Sequence, residues 1–234
     1  MKILAFDSTA VSASVALAED DKLIGSFFIN NKLTHSKTLV PMAEDLLKNS
    51  NVSLKEIDAF AVNSGPGSFT GVRIGVAAVK GLAFALNKPC VAVSTLDSMA
   101  YNLKMLDCIA VCVMDARCSQ VYNANYCISK GIITKLCDDR AVSIEELTSE
   151  LAKYDQRLIL AGDGAQICFD KMKEVLPNIE MAQENCRYQN AVSTAFIAEE
   201  KYKKGDTVSA NDLQPYYLRL PQAERELKKR KGSC

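Results

Sequence analysis

The stretch 64–75, which reads SGPGSFTGVRIG, has the residue types of a phosphate-binding turn. An apolar run of strand length, residues 58–63, precedes it, and a long apolar run of helical spacing follows. Gly65, Pro66 and Gly67 predict a tight turn between the two, because glycine admits positive φ and proline fixes its own φ. A strand, a glycine-rich turn and a helix N-terminus together present backbone N–H groups that suit an anion.

Acidic and small residues at other predicted turns extend this candidate phosphate site. Asp7 ends the first apolar run of the chain, and Asp115 ends a later one. The same residue types are also common in turns for purely structural reasons, and the first turn lacks the second glycine and the lysine of a P-loop. We therefore predict a degenerate nucleotide cleft, with weak or vestigial nucleotide binding and no required cofactor. Its candidate residues are Asp7, Ser8, Thr9, Asp115, Gly162 and Gly164.

His35 is the only histidine of the chain, and this limits the catalysis that the sequence supports. A serine or cysteine nucleophile needs a base, and His35 would have to supply it in every case. Ser68 lies in the sequence GPGSF, not in the strand–elbow context of a GxSxG motif. A zinc or iron site needs about three protein ligands, which a lone imidazole does not provide. We therefore predict neither peptidase activity nor a metal site, and we place His35 at a helix start or an interface.

The predicted secondary-structure elements follow one order that occurs twice. In the first half, three antiparallel strands precede alternating helices and strands, over residues 2–6, 12–18, 22–30, 35–49, 58–63, 70–86, 91–94 and a helix from Asp97. The second half repeats three strands, a helix, a strand and a helix, and then adds a last helix, over residues 108–114, 120–128, 131–136, 143–154, 157–160, 166–176 and 192–204. Asp7 and Asp115 therefore have equivalent places, each at the end of a first strand.

This repeat indicates an α/β fold of two ribonuclease-H-like domains, each a mixed sheet flanked by helices. The actin, hexokinase and heat-shock ATPase superfamily has this duplicated fold, and its members bind a nucleotide in the cleft between the domains. We predict an N-terminal domain over residues 1–104 and a C-terminal domain over residues 105–223. We predict that the segment 224–234 is a disordered tail.

The helix after the glycine-rich turn is apolar nearly all round, since Arg73 and Lys80 are its only charged residues. Small residues recur along it at spacings of three and four, at Gly71, Gly75, Ala78, Gly81 and Ala85. Glycine inside a helix costs about 1 kcal/mol relative to alanine, so its repeated use indicates close packing. Two explanations are open: the helix packs on the chain's own sheet, or one face receives a helix of another protein.

Composition describes an ordinary globular protein, with 234 residues of which 48% are hydrophobic and 24% charged. No apolar span of about 20 residues is available for a membrane, and Asp7 comes too early for a signal peptide. The nine cysteines form no CxxC pair. Several of them lie in strand-like runs, which indicates buried, reduced thiols and a cytoplasmic protein.

The net charge of the chain is zero, but its distribution is uneven. The tail 224–234 has five basic and two acidic residues, so the rest of the chain has a net charge of −3. Residues 1–223 have a net negative charge and therefore form a poor surface for nucleic acid. Direct tRNA binding by the tail stays open as an alternative to a solvated chain end.

Several motifs together resemble the TsaB family, also called YeaZ. They are residues 63–75 with the core GPGSFTG, the opening ILAFDST at 3–9, the pair His35-Ser36, and PYYLR at 215–219. The resemblance extends over essentially the whole chain to Ala223, and the GPGSFTG core is its most specific part. It implies a role in making threonylcarbamoyladenosine, the modified base beside the anticodon of tRNAs that read codons beginning with A.

The resemblance also implies a division of labour. In this pathway the paralogue TsaD transfers the threonylcarbamoyl group to tRNA, TsaB is its non-catalytic partner, and an ATPase, TsaE, joins the pair. TsaD-type proteins hold a metal with two histidines spaced HxxxH on the first helix, whereas this chain has His35 followed four residues later by Leu39. We therefore expect a scaffold subunit that pairs with a TsaD-like paralogue, forms a homodimer when alone, and meets tRNA only through the complex.

The resemblance places the interface on the first two helices. We predict that it is formed by apolar and small residues of both: His35, Leu39, Met42, Leu46, Gly71, Val72, Gly75, Val76 and Val79. An ATP-dependent small-molecule kinase or acyltransferase of the same superfamily is the alternative function.

Overall fold

The computed structural model describes residues 1–31 and 34–219. Its first half is built on a five-stranded sheet with the strand order β3-β2-β1-β4-β5. The strands are β1 (Lys2–Asp7), β2 (Ala13–Glu19), β3 (Lys22–Ile29), β4 (Ala59–Gly65) and β5 (Cys90–Ser94). The first three strands are antiparallel neighbours, and β1, β4 and β5 are parallel, which gives a mixed sheet.

Two helices cover one face of this sheet, α1 (His35–Asn49) and α2 (Phe69–Leu86). Successive side chains of a strand point to opposite faces. Leu4 and Phe6 of β1 therefore pack beneath α1 and α2, while Ile3 and Ala5 face the other side. A short 3₁₀ turn (Leu54–Glu56) leads into β4, and α3 (Thr95–Asn102) leads out of β5.

The second half repeats this plan, with the strand order β11-β10-β6-β7-β8 and β9 pairing with β7. Its strands are β6 (Cys108–Asp115), β7 (Gln120–Ser129), β8 (Ile132–Lys135), β9 (Arg140–Ser143), β10 (Leu158–Ala161) and β11 (Ile179–Met181). Its helices are α4 (Ile144–Leu151), α5 (Ala165–Met172), α6 (Glu184–Arg187) and α7 (Ala191–Lys203). The strands β6, β7, β8, β10 and β11 take the places of β1 to β5, so the structure confirms the predicted duplication. The sequence pattern missed β9, β11 and α6, which have four residues or fewer.

The last helix belongs to the first half, which corrects the predicted domain of residues 105–223. Ala191, Ala195 and Ala198 of α7 pack on the open face of the first sheet, in one cluster with Ile3 and Ala5. These small side chains let the helix lie close to the sheet. The buried carboxylate of Glu199 also accepts two 3.1 Å hydrogen bonds from the backbone N–H of Asp21.

The segment that directly follows α7 also lies on the first half, because Val208 pairs with Cys90 at the edge of the sheet. The predicted tail 224–234 lies outside the described residues.

Two of the three glycines of α2, Gly71 and Gly75, are explained by the contact of the helix with the turn after β1. A Cβ atom on Gly71 would lie 2.0 Å from the backbone oxygen of Ser8, and one on Gly75 would lie 2.8 Å from the Ser8 Oγ. A Cβ on Gly81 would meet no atom within 4 Å.

By length and composition, α2 is the one helix among residues 1–31 and 34–219 that could cross a membrane. One side of it is buried in the protein, with the residues Gly71, Val72, Gly75, Val76, Val79 and Ala83.

These contacts predict opposite effects for two alanine substitutions in the same helix. Gly71→Ala forces a Cβ against backbone and should lower the free energy of unfolding by about 1–3 kcal/mol. Gly81→Ala adds a methyl group in open space and should raise it by about 0.5–1 kcal/mol, because alanine favours the helix. Urea denaturation of both variants at one protein concentration measures the difference. Equal effects at the two positions would contradict the packing described here.

Candidate functional site

The glycine-rich turn before α2 is occupied by the chain's own backbone. The Ser68 N–H donates to the Thr9 carbonyl at 2.7 Å, and a Cβ on Gly67 would lie 2.4 Å from that same oxygen. The Ser68 hydroxyl caps α2 by accepting from the Gly71 N–H at 3.4 Å. Gly67 and Gly71 thus make room for residues 8 and 9, and this packing accounts for them without a ligand.

The first group of predicted cleft residues is buried in a hydrogen-bond network. Asp7 Oδ1 accepts from the Thr9 hydroxyl at 2.7 Å and from Asn63 Nδ2 at 3.0 Å, while Asn63 Oδ1 accepts from the Thr194 hydroxyl at 2.9 Å. The Ser8 hydroxyl donates to the Gly71 carbonyl at 2.9 Å. Burial raises the pKa of Asp7. The network joins β1, β4 and α7, so these side chains support the fold.

An open cleft of about 420 Å³ lies between the two halves. Its lining consists of residues 10, 11, 66–70, 114–117, 122, 163 and 216–219. Two carboxylates, Asp115 and Asp163, and two guanidinium groups, Arg117 and Arg219, are among them. The cleft is therefore polar and has both signs of charge.

Asp163, one of the two acids of this lining, has a raised pKa. Its Oδ1 accepts from the Asp115 N–H at 3.2 Å. Burial, with a smaller contribution from the Asp115 carboxylate, raises the pKa of Asp163 to about 6. Asp163 is therefore mainly ionised at neutral pH. Two neighbouring carboxylates oppose binding of a phosphate that no cation accompanies.

Of the six predicted cleft residues, Asp115 alone lines the cleft. Asp7, Ser8 and Thr9 are buried and do not line it. Gly162 and Gly164 pack on the end of β6, where a Cβ on Gly162 would lie 1.9 Å from the Val113 carbonyl oxygen. These five residues therefore do not line the cleft of this structure, and their role around a nucleotide stays a prediction. Asp163, which sequence reasoning missed, could have been found from its position between the two glycines.

Aromatic residues form the wall of the cleft next to α2. The Tyr217 ring stacks on Phe69 with 4.6 Å between centroids, and the Arg73 guanidinium lies 3.8 Å from the Phe69 centroid. Arg73 Nε also donates to the Tyr217 hydroxyl at 2.8 Å. Tyr217 and its neighbour Tyr216 belong to the PYYLR motif, which the sequence pattern singled out without a structural role.

His35 and Ser68 each contact the chain's own backbone, and the buried His35 Nδ1 has no hydrogen-bond partner among the residues that the structure describes. His35 Nε2 lies 2.6 Å from the Ala10 carbonyl oxygen, at the start of α1, and Ser68 caps α2. Within residues 1–31 and 34–219, no group of three or more His, Cys, Asp or Glu side chains could hold a metal ion.

The eight cysteines in the described part of the chain are all free thiols. Burial raises the pKa of Cys90 and Cys108 to about 11 and that of Cys168 to about 12, so these thiols stay protonated at neutral pH.

The residues predicted for a partner interface are mostly buried within the chain itself. Leu39, Met42 and Leu46 of α1 share one core cluster with the valines of α2, at 72, 76 and 79, and Gly71 and Gly75 face Ser8. Only His35 is partly exposed. The prediction that the other eight form an exposed face is wrong, because their apolar spacing serves the sheet beneath both helices.

The outer faces of the same helices have a different set of residues. On α2 the exposed residues follow one another at helical spacing: Thr70, Arg73, Ala77, Gly81, Phe84 and Ala85. Phe84 is 69% exposed, and Val40 on the outer side of α1 is 45% exposed. We call the α2 residues 77, 81, 84 and 85 the apolar strip.

Comparison with known proteins identifies the family. The family model described as TsaD, tRNA N6-adenosine threonylcarbamoyltransferase, matches residues 26–227. The chain is 31% identical to the tRNA threonylcarbamoyladenosine biosynthesis protein TsaB of Bacillus subtilis, with 96% of each chain covered. It is 32% identical to TsaB of Escherichia coli, with 97% of this chain and 98% of that protein covered.

Solved structures agree with these sequence relatives. YeaZ from Pseudomonas aeruginosa superposes with a TM-score of 0.80 at 28% identity, covering 93% of this chain and 99% of that one. Component A of (R)-2-hydroxyglutaryl-CoA dehydratase from Acidaminococcus fermentans, at 11% identity and a TM-score of 0.50, shares the fold alone. The predicted α/β fold of two mixed sheets flanked by helices is confirmed. The chain belongs to the TsaB (YeaZ) family of tRNA threonylcarbamoyladenosine biosynthesis proteins.

Proposed function

We propose that the chain is a non-catalytic dimerisation and scaffold subunit of a tRNA threonylcarbamoyltransferase complex. It binds a TsaD-like paralogue and supports transfer of the threonylcarbamoyl group to the adenosine beside the anticodon of tRNAs that read codons beginning with A. A TsaE-like ATPase joins the pair, and the chain forms a homodimer when the paralogue is absent. The complex works in the cytoplasm, in keeping with the free thiols of the described residues.

The observation that carries this proposal is the apolar strip on α2. Ala77, Gly81 and Ala85 have side chains small enough for another helix backbone to approach closely, and Phe84 projects from among them. α2 has no acidic residue. An exposed apolar surface on a helix already seated on its own sheet is typical of a protein–protein interface.

A helical partner fits this strip better than a flat surface does, because small residues at successive turns form a shallow groove. TsaD-type proteins are a suitable class of partner. The tRNA N6-adenosine threonylcarbamoyltransferase of Brachyspira hyodysenteriae is 30% identical over 44% of this chain, so such proteins are related to it in sequence. Two related chains can pair through equivalent helices in a pseudo-symmetric interface.

The non-catalytic role is supported by the use that the chain makes of its polar residues. Asp7 and Ser8 hold β1 to β4 and α2, His35 contacts a backbone carbonyl, and Ser68 caps a helix. A general acid, base or nucleophile has to be free to exchange a proton or a bond with substrate.

The alternative function, an ATP-dependent kinase or acyltransferase, is favoured by the cleft itself. Its volume of about 420 Å³ falls in the range of small-molecule sites, and Asp115 lies at its edge. The nearby Asp163 carboxylate opposes binding of a phosphate that no cation accompanies, and we favour the scaffold.

The scaffold proposal predicts that one exposed residue controls pairing. Phe84→Glu should weaken binding to the purified TsaD-type protein of the same genome by about 30-fold or more, since an aromatic anchor that the partner would cover is replaced by a charge. The matched control is Ile132→Glu on β8, since Ile132 is also 69% exposed but lies in the second half. Analytical ultracentrifugation measures the affinity. Equal affinities for the two variants would show that the strip is not the interface.

The same pair of variants tests the pathway role. With threonylcarbamoyl-AMP and tRNA supplied, the TsaD-type protein should transfer the group in the presence of the wild-type chain or Ile132→Glu. Transfer should fall with Phe84→Glu in proportion to the lost pairing. Full transfer without the chain would contradict its role as a required subunit.

The scaffold proposal also predicts that the isolated chain neither binds ATP with micromolar affinity nor hydrolyses it. Titration calorimetry with ATP and magnesium should detect no micromolar binding, and incubation should release no ADP. Asp163→Ala is the informative variant in a titration without magnesium, because removal of a carboxylate should favour binding of a phosphate that no cation accompanies. Micromolar binding and turnover by the wild-type chain would instead support the kinase or acyltransferase.

A further inference from the structure

The segment 216–219 contacts both halves of the molecule across the mouth of the cleft. The Tyr216 N–H donates to the Ser64 carbonyl at the end of β4 at 2.7 Å. Arg219 Nη1 donates to the Ala116 carbonyl just after β6 at 3.2 Å. All four residues of the segment line the cleft. We call this segment the strap.

The chain makes specific room for the strap. A Cβ on Gly65 would lie 2.3 Å from the Tyr216 carbonyl oxygen, and Gly65 has φ +128°, which glycine adopts most easily. Lys80 Nζ donates to the carbonyls of Asn211 and Leu213 at 3.1 and 3.0 Å, which fixes the chain just before the strap. The strap is therefore a built part of the cleft wall.

Exposed side chains hold the middle of the strap. Tyr217 is fixed by its stacking on Phe69 and by the 2.8 Å hydrogen bond from Arg73 Nε. The Arg73 guanidinium also lies over the Phe69 ring, 3.8 Å from its centroid. Contacts between exposed groups open at a lower free-energy cost than a buried core does. The strap can thus release without unfolding of either half.

Arg73 links the strap to the apolar strip. It is exposed on the outer face of α2, one turn before Ala77. A partner helix on the strip therefore comes within reach of Arg73. Its guanidinium prefers a carboxylate, which it can bind through two parallel hydrogen bonds, to the single neutral hydroxyl of Tyr217.

We propose that the strap is a latch on the cleft, and that a partner bound to the apolar strip releases it by engaging Arg73 through an acidic side chain. The latch follows from the contacts of this chain alone, whereas its control by a partner rests on the proposed function. Partner binding and access to the cleft are then coupled through one side chain.

Hydrogen exchange of the isolated, full-length chain tests the latch. Arg73→Ala should speed exchange of the Tyr216 amide about tenfold, as expected for the loss of one cation–π contact and one hydrogen bond. The control is Lys48→Ala, which removes an exposed cation from α1. Exchange of the β10 amides should stay unchanged in both variants, which separates local release from global unfolding. An unchanged Tyr216 amide in Arg73→Ala would overturn the latch.

A second arm adds the purified TsaD-type protein to the wild-type chain. Formation of the pair should speed exchange within residues 216–219, and pairing with unchanged or slower exchange would overturn the coupling while leaving the proposed function intact. Absence of pairing in the ultracentrifuge would overturn the proposed function and with it the control by a partner. The two failures are distinguishable, because exchange and association are measured separately.

Discussion

The close approach of α2 to the turn after β1 is the contact on which the rest of the structure depends. Gly67 and Gly71 let the backbone oxygens of Thr9 and Ser8 lie against the start of the helix, and the Ser8 hydroxyl returns a hydrogen bond to the Gly71 carbonyl. This contact fixes the direction of α2 across the sheet. It also decides which side of an almost wholly apolar helix is buried, and so which side is left for a partner.

The polar residues near this contact form hydrogen bonds within the chain. Asp7, Thr9 and Asn63 form hydrogen bonds with one another and with Thr194 of α7, because a buried polar group without a partner is costly. In this way the last helix is fastened to the first sheet. These side chains join strands and helices of the first half.

The sequence predicted the order of most strands and helices correctly. The bounds of α1 were predicted to the residue, and the repeated order of strands and helices led to the duplicated α/β fold. These predictions succeeded because alternation of apolar residues and helix capping are local properties. The prediction failed for α7, since a helical pattern does not tell which of two sheets the helix covers.

The sequence by itself determined the family motifs, the single histidine and the glycine spacing of α2, because these are properties of residue type and order. Only the tertiary structure decided that Gly71 and Gly75 face Ser8, that Leu39, Met42 and Leu46 are core, and that Phe84 and Ala77 are the outer face. It also brought Tyr217 onto Phe69, residues that lie far apart in the chain. The physical reason is that α2 is apolar on every side. Periodicity then marks no preferred face, and only the packing of the whole chain selects one.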